Sequence, residues 1–437
     1  MNILLLGSGG REHAMAYKLS QSELCDQLYI APGNGGTNEC GVNVNLKVSD
    51  FAGIADFALS HNVKLLVVGP EAPLVGGIAD YFASRADLCE IAVIGPSKDG
   101  AMLEGSKDYA KAFMLENKIP TARYRTFSAG ELDEAYLFLD SLQSPYVLKA
   151  DGLAAGKGVL ILDDVDDAKR ELRAMLLDAK FGDASAKVVI EEYLSGIEMS
   201  AFVLTDGHSY VMLPEAKDYK RIGEGDTGLN TGGMGSVSPV CFADDVFMEK
   251  VRTRIVKPTI QGLRHRKIKY CGFIFIGLMA VKNAVDGSLD PYVIEYNVRM
   301  GDPESESVFP RIKSDLVSLL CHAAEGTLDR GSLIIDSRTA ACVMMVASGY
   351  PESYRKGDVI SMANARQGGL IFHAGTALSK EGNLVTAGGR VMCVTALDNS
   401  LPEALNKAYQ MVDKISWDGK YQRRDIGQDL LRMQLDK

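Results

Sequence analysis

One stretch constrains this chain more than any other: Pro145-Tyr146-Val147-Leu148-Lys149-Ala150-Asp151-Gly152-Leu153-Ala154-Ala155-Gly156-Lys157-Gly158-Val159. An apolar run ends in a lysine, a glycine-rich loop follows, and Val159-Leu160-Ile161-Leu162 resumes as a strand, so the loop closes a hairpin. Glycines at 152, 156 and 158 let backbone amides approach an anion closely, because no Cβ stands in the way. The spacing argues against a loop of the G-x-x-x-x-G-K-[ST] type. Only three residues separate Gly152 from Gly156, Gly158 stands where a hydroxyl belongs, and the next segment is a strand rather than a helix. A phosphate-covering hairpin and a solvated turn both remain open, since such loops are also common punctuation.

Upstream, short apolar runs at 3–6, 27–31, 64–68 and 91–95 alternate with helix-like segments such as 11–21, the signature of βαβ units and a parallel sheet. Gly7-Ser8-Gly9-Gly10-Arg11-Glu12-His13 joins the first strand to the first helix and leaves amides at a helix N-terminus to face an anion. A dinucleotide site would share this turn. However, Glu12 replaces the third fingerprint glycine, and the second strand ends in Ala31-Pro32-Gly33-Asn34-Gly35-Gly36 with no acid for an adenosine ribose. A phosphate or sugar phosphate at Gly9, Gly10 and Arg11, joined by Asn34 and by Glu71 of Gly69-Pro70-Glu71, fits the switch-point rule better; tight turns without a ligand are the alternative. Ser106 is expected to cap a helix over 106–117. Lys107 in its first turn opposes the helix dipole, a misfit that a bound phosphate would relieve.

A strand from residue 187 runs into Glu191-Glu192-Tyr193-Leu194, and Glu198 precedes another strand at 201–204. Carboxylates at the end of a buried strand need partners. An adenine at a 191–194 hinge with ribose hydroxyls on Glu198 would supply them, and so would solvent at a loop edge. Residues 215–236 form the longest polar stretch without periodicity and read as a flexible cover over a phosphoryl site. Runs at 273–281 and 291–299 pair as core strands, with Glu295, Asn297 and Arg299 alternating onto one face. Oxygens of Glu295 and Asn297 suit Mg²⁺ (or Mn²⁺) bridged to nucleotide phosphates, and Arg299 suits a carboxylate or a phosphoryl group in transfer.

Beyond residue 327 the texture changes to short strands at 340–348, 369–373 and 390–396, closed by a helix opening on the capping box Ser400-Leu401-Pro402-Glu403. At 437 residues the chain has room for about three domains. Its net charge of −10 argues against a nucleic-acid partner. The longest apolar run, 270–281, falls short of the roughly 17 to 25 residues a membrane span needs. The N-terminus shows no secretory pattern, so a cytoplasmic location without a membrane partner is expected. The eight cysteines, without any C-x-x-C pair, read as reduced core residues.

Gly7-Ser8-Gly9-Gly10-Arg11-Glu12-His13-Ala14, Pro32-Gly33-Asn34, Gly69-Pro70-Glu71, the 149–158 loop, Asn230-Thr231-Gly232-Gly233-Met234-Gly235, and Glu295-Tyr296-Asn297-Val298-Arg299 with Gly301-Asp302-Pro303-Glu304 together resemble the ATP-grasp superfamily. Within it the chain resembles, nearly end to end, the glycinamide ribonucleotide synthetase (phosphoribosylamine-glycine ligase) family. The resemblance implies an α/β fold with a Rossmann-like pre-ATP-grasp N domain (1–105) that binds phosphoribosylamine, a two-part ATP-grasp domain (106–326, lid subdomain about 121–191), and a small β-rich C-terminal domain (327–437). It implies ATP-dependent ligation of glycine to 5-phosphoribosylamine through a glycyl phosphate, in purine biosynthesis, by a monomer or weak dimer. Carried over by motif, Arg299, Lys149 and Asp218 would be catalytic. Lys107, Lys149, Gly156, Lys157, Glu191, Glu192, Leu194 and Glu198 would hold ATP. Gly9, Gly10, Asn34, Glu71, Asp218 and Arg299 would hold the other substrates, and Glu295 and Asn297 the metal. Tyr219, Leu229, Ser236-Val237, Met300 and Ser305-Glu306 depart from the family's usual residues (His, Pro, Ala-Tyr, Phe and Thr-Gln) and concern the pocket's shape rather than its phosphate and metal ligands. An ATP-grasp carboxylate-amine ligase with a different acceptor would share the ATP half, so the N-terminal anion site and the 218–235 loop discriminate.

Overall fold

The computed structural model describes residues 1–152, 158–178, 180–362, 365 and 367–435. Ile3, Leu4, Leu5 and Leu6 are wholly buried, which places Asn2–Gly7 at the centre of a five-stranded parallel sheet. The order across it is Val42–Asn43, Gln27–Pro32, Asn2–Gly7, Val63–Val68, Ala92–Ile94. The chain winds to one side of Asn2–Gly7 and then crosses to the other. The loops after Gly7, Pro32 and Val68 therefore open on one crevice, as the strand order requires.

Two antiparallel four-stranded sheets follow. One runs Tyr124–Ser128, Lys187–Glu192, Tyr146–Ala150, Val159–Leu162; the other runs Tyr210–Met212, Ile197–Thr205, Gly272–Lys282, Leu289–Asn297. The expected hairpin is present, with Tyr146 opposite Leu162 and Lys149 opposite Val159. Glu192 ends the first sheet and Ile197 begins the second, so residues 193–196 link them. Val293 makes a second tie: its N–H donates to the Pro120 carbonyl at 2.8 Å, and its carbonyl accepts from the Thr121 hydroxyl at 2.7 Å. Helical chain from Asp245 to His265 covers the second sheet, with a π turn at Arg252–Val256. Pro258 lacks the N–H that an α turn would use and crowds the preceding carbonyls, and the wider winding relieves both.

The last sheet runs Lys217–Asp218, Gly235–Ser238, Thr339–Val346, Arg390–Asp398, Leu370–His373, all antiparallel, with helix Leu401–Val412 against it. Two of its strands precede residue 327, so this sheet is continuous across that position. The 215–236 stretch, expected as a flexible cover, is therefore anchored. Its tip, the hairpin Arg221–Gly223 and Thr227–Asn230, is pinned by the C-terminal segment: the buried Arg423 meets Asp226 at 2.7 Å, and Asp425 accepts from Gly225 N–H at 2.7 Å. The polarity that suggested mobility is matched by charges some two hundred residues away. Among the described residues, no helix is long and apolar enough to cross a membrane.

Candidate functional site

Between the two four-stranded sheets lies a cleft of about 350 Å³ that gathers Lys107, Lys111 and Lys149 with Glu71, Glu104, Glu191, Glu295, Asn297 and Arg299. Local sequence puts each in place. Ser106 caps helix Lys107–Glu116, accepting from Tyr109 N–H at 3.1 Å, and this aims Lys107 and Lys111, one turn apart, from one face. The expected misfit at Lys107 is absent, because Asp151 fills the helix N-terminus: its carboxylate accepts from Asp108 N–H at 2.8 Å and from the Ser106 hydroxyl at 2.9 Å. Lys107 itself donates to the Gly152 carbonyl at 3.2 Å. Its pKa is lowered by burial, against the pull of Glu295.

Lys149, on the hairpin strand, is 3.0 Å from one oxygen of Glu191, and Lys111 is 3.0 Å from the other. All three are buried. Burial pushes Glu191 up, but Lys149 and Lys111 outweigh it and its pKa falls. Burial pushes Lys111 down to about 8 despite Glu191. Two ammonium groups thus share one carboxylate, which leaves a local excess of positive charge. The Glu191 side chain, expected at an adenine, is occupied by these lysines, so only its strand backbone and the 193–196 link remain for a base. Glu192 is likewise engaged, accepting from Arg123 N–H at 2.7 Å.

Glu295 and Asn297 project into the cleft from the end of strand Leu289–Asn297, with Asn297 Nδ2 3.4 Å from Glu295 Oε1. Arg299 lies just past the strand and lines the same cleft. It pairs with Glu104 at 2.8 Å and reaches Glu71 at 3.6 Å. Glu104 also accepts from Val298 N–H at 2.8 Å; burial raises its pKa although Arg299 opposes this. Burial raises Glu71 too, but Arg299 and Arg11 outweigh it and leave it more acidic than usual.

Glu71 also lines a second cavity, of about 640 Å³, formed by the first glycine turn, Pro32, the 45–49 loop, Pro70 and Asp302. Here the protein's own carboxylates claim part of the expected anion site. Gly9 N–H donates to Glu12 at 2.6 Å, and Arg11 N–H donates to Asp302 at 3.3 Å. A Cβ on Gly10 would sit 2.1 Å from an oxygen of the fully buried Glu306, so this glycine makes room for an internal acid. Asn34 is spent on backbone: it donates to the Ser8 and His373 carbonyls at 2.9 and 2.7 Å and accepts from Gly36 and Thr37 N–H at 2.9 and 3.1 Å. It shapes the loop and has no donor left for a substrate. Among the described residues, Arg11 and the exposed Lys47 are the cations lining this cavity.

Asp218 and Glu198 meet elsewhere, joined by Lys220, which pairs with Asp218 at 3.1 Å and with Glu198. Glu304 belongs to the same cluster. Burial first, then the Asp218 charge, raises it to about 7 against Lys220. Among the described residues, neither Glu198, Glu192, Leu194 nor Asp218 lines the 350 Å³ cleft. Gly156 and Lys157 lie outside the described residues. Sequence reasoning missed Lys111 and Glu104. The signal for Lys111 was its spacing of four from Lys107; nothing local marked Glu104. It also missed Arg390, which holds Asp302 at 3.0 Å from the far end of the chain.

Comparison with known proteins gives consecutive matches along the chain: the phosphoribosylglycinamide synthetase N domain over residues 1–104, its ATP-grasp (A) domain over 105–305, and its C domain over 340–429. The chain is 43% identical to phosphoribosylamine-glycine ligase of Haemophilus influenzae, covering 100% of both proteins, and 42% identical to that of Escherichia coli K12, covering 98% of each. It is 45% identical to the bifunctional purine biosynthetic protein PUR2,5 of Pichia angusta, covering 98% of this chain and 53% of that protein, so it spans about half that relative's length. Among solved structures, phosphoribosylamine-glycine ligase of Thermotoga maritima superposes with a TM-score of 0.84 at 35% identity, covering 98% of this chain and 100% of that one. The biotin carboxylase domain of Hydrogenobacter thermophilus 2-oxoglutarate carboxylase, in complex with MgADP, superposes with a TM-score of 0.69 at 17% identity and shares the fold.

Proposed function

The chain belongs to the phosphoribosylglycinamide synthetase family, and from that premise we propose that it joins glycine to 5-phosphoribosylamine with ATP, giving glycinamide ribonucleotide, ADP and phosphate in purine biosynthesis. The observation that carries the assignment to this geometry is Glu71. It lines both the cleft between the sheets and the cavity of the glycine turn, 3.6 Å from Arg299. A nucleotide in one chamber and a phosphorylated amine in the other would meet there.

ATP lies in the cleft with its phosphates toward Lys107 and Lys149 and its base toward the 193–196 link. The excess positive charge of Lys111, Glu191 and Lys149 then finds its counterion in phosphate. Glu295 and Asn297 stand on one strand face and would hold Mg²⁺ or Mn²⁺ through side-chain oxygens, the Asn297 Oδ1 giving up the bond it accepts from Arg299 Nη2 at 3.3 Å. When bound, the metal neutralises charge on the phosphates. The glycine carboxylate, held by Arg299, attacks the γ-phosphorus; the new P–O bond forms as the bond to ADP breaks, giving glycyl phosphate. The phosphoribosylamine nitrogen then attacks the acyl carbon, phosphate leaves with the bonding pair, and the amine proton passes to phosphate or water. No protein nucleophile is required. The chain's work is alignment and charge neutralisation, with Glu104 fixing Arg299 and Glu71 facing the amine.

Following ADP release with glycine alone, with phosphoribosylamine alone and with both tests this reading. Release is expected to need both for turnover. Release indifferent to phosphoribosylamine would point to a different acceptor.

A further inference from the structure

Residues 250–269 carry eight lysines and arginines and no aspartate or glutamate, in a chain whose formal net charge is −10. Four of these cations have carboxylate partners: Lys250 and Arg254 share Asp290 at 2.8 and 2.9 Å, Arg252 holds Glu249 at 2.5 Å, and Arg266 holds Glu116. Lys257, Arg264, Lys267 and Lys269 make no ion pair or side-chain hydrogen bond among the described residues.

These four are grouped. On helix Lys257–His265, Lys257, Ile260, Gln261 and Arg264 recur at helical spacing and share one face. The π turn before it ends with Lys257 N–H donating to the Arg252 carbonyl, which sets Arg252 and Thr253 at the head of that face. Pro258 accounts for the π turn; it does not account for unpaired cations collecting below it. With Tyr210 of the edge strand and His208, this face encloses a cavity of about 310 Å³. Arg264 and His208 continue into a groove of about 950 Å³, where Lys267 and Lys269 lie. None of these residues lines the ATP cleft or the glycine-turn cavity.

We propose that this groove binds an organic phosphate, with its phosphoryl group between Lys257 and Arg264 and its sugar or base against Tyr210 and Ile260. Cations that repel one another on a shared face are stabilised by a bound anion, and Gln261 and Thr253 add neutral hydrogen-bonding groups beside the apolar wall. The smaller cavity has the volume of a small-molecule pocket, roughly 300 to 1,000 Å³.

Equilibrium dialysis of the full chain with ADP tests the site. The wild type is expected to show two classes of site, one at the ATP cleft and a weaker second one. In K257Q/R264Q the second is expected to weaken at least tenfold or vanish, with kcat, KM for ATP and melting midpoint unchanged. Inorganic phosphate is expected to bind the second site at least tenfold less tightly than ADP, because it cannot use Tyr210 and Ile260. Should the double variant fail to fold, Arg264→Gln alone, at an exposed position, is read in the same way. A second site of unchanged ADP affinity in the variant, no second site in the wild type, or inorganic phosphate binding as tightly as ADP would overturn the proposal.

Discussion

Replacing Lys111 with methionine is expected to stabilise the unliganded protein while weakening its hold on ATP. Lys111, Glu191 and Lys149 are 2%, 4% and 5% exposed, so two cations and one anion are buried together with one positive charge in excess. The fall of Lys111 from 10.5 to about 8 corresponds to about 3 kcal/mol of penalty on its charged form. Methionine removes that charge at similar volume and forfeits the 2.7 Å hydrogen bond to Thr121, worth about 1 kcal/mol. The net expectation is a gain of about 2 kcal/mol at pH 7. Because the folded pKa lies below the unfolded one, the wild type carries the full penalty below about pH 8 and sheds it as pH rises toward 10.5. The variant's advantage should therefore shrink over that window. Glu191→Gln is the opposite case: it strands both lysines and should cost about 3 to 5 kcal/mol. Urea denaturation followed by circular dichroism at pH 7 and in the alkaline window measures the stabilities. KM for ATP should rise about tenfold in Lys111→Met, equivalent to about 1.4 kcal/mol. A variant less stable than wild type at pH 7, or an advantage indifferent to pH, would refute the excess-charge argument.

Glu295→Gln should lower kcat at least about a hundredfold without moving the melting midpoint, since one ligand oxygen and its charge are lost from an open cleft; near-normal turnover would remove Glu295 from the metal site. Asn34→Ala should cost about 2 to 4 kcal/mol in denaturant unfolding, because two carbonyls and two N–H groups lose their partner. An unchanged stability with a raised KM for phosphoribosylamine would instead return Asn34 to the substrate. Arg423→Met should free the 221–230 hairpin by stranding Asp226 and Asp425, seen as faster amide exchange there and nowhere in the N-terminal sheet.

What was legible in the sequence was local. Period-two and continuous apolar runs announced the parallel sheet, the 146–162 hairpin and the strand carrying Glu295 and Asn297, because strand burial leaves its mark residue by residue. Ser106 and Ser400 marked helix starts through side chains that cap their own turns. What stayed hidden depends on partners far along the chain. Asn34 reads as a sugar-phosphate ligand until the Ser8 and His373 carbonyls take its amide, and Gly10 reads as a phosphate glycine until Glu306 fills the space beside it. Lys217–Asp218 is two residues long and becomes a strand only by pairing with Gly235–Ser238, itself held by Thr339–Val346. Glu191 is the complementary case: its type and place suit an adenine, while the lysines that neutralise its carboxylate come from a helix and from another strand and leave no mark beside it in the sequence.

That last sheet has a consequence for synthesis. Gly235–Ser238 leaves the ribosome about a hundred residues ahead of the strand it must pair with, and at roughly 5 to 20 residues per second this is a wait of about 5 to 20 s. Throughout it the 215–238 segment has an unpaired edge, and for the last part of it, once Leu289–Asn297 has emerged, both sheets flanking the cleft are complete in sequence. The nascent chain should therefore pass through a state with a formed cleft and an open flank, and a chaperone or a misfolding contact would find it there.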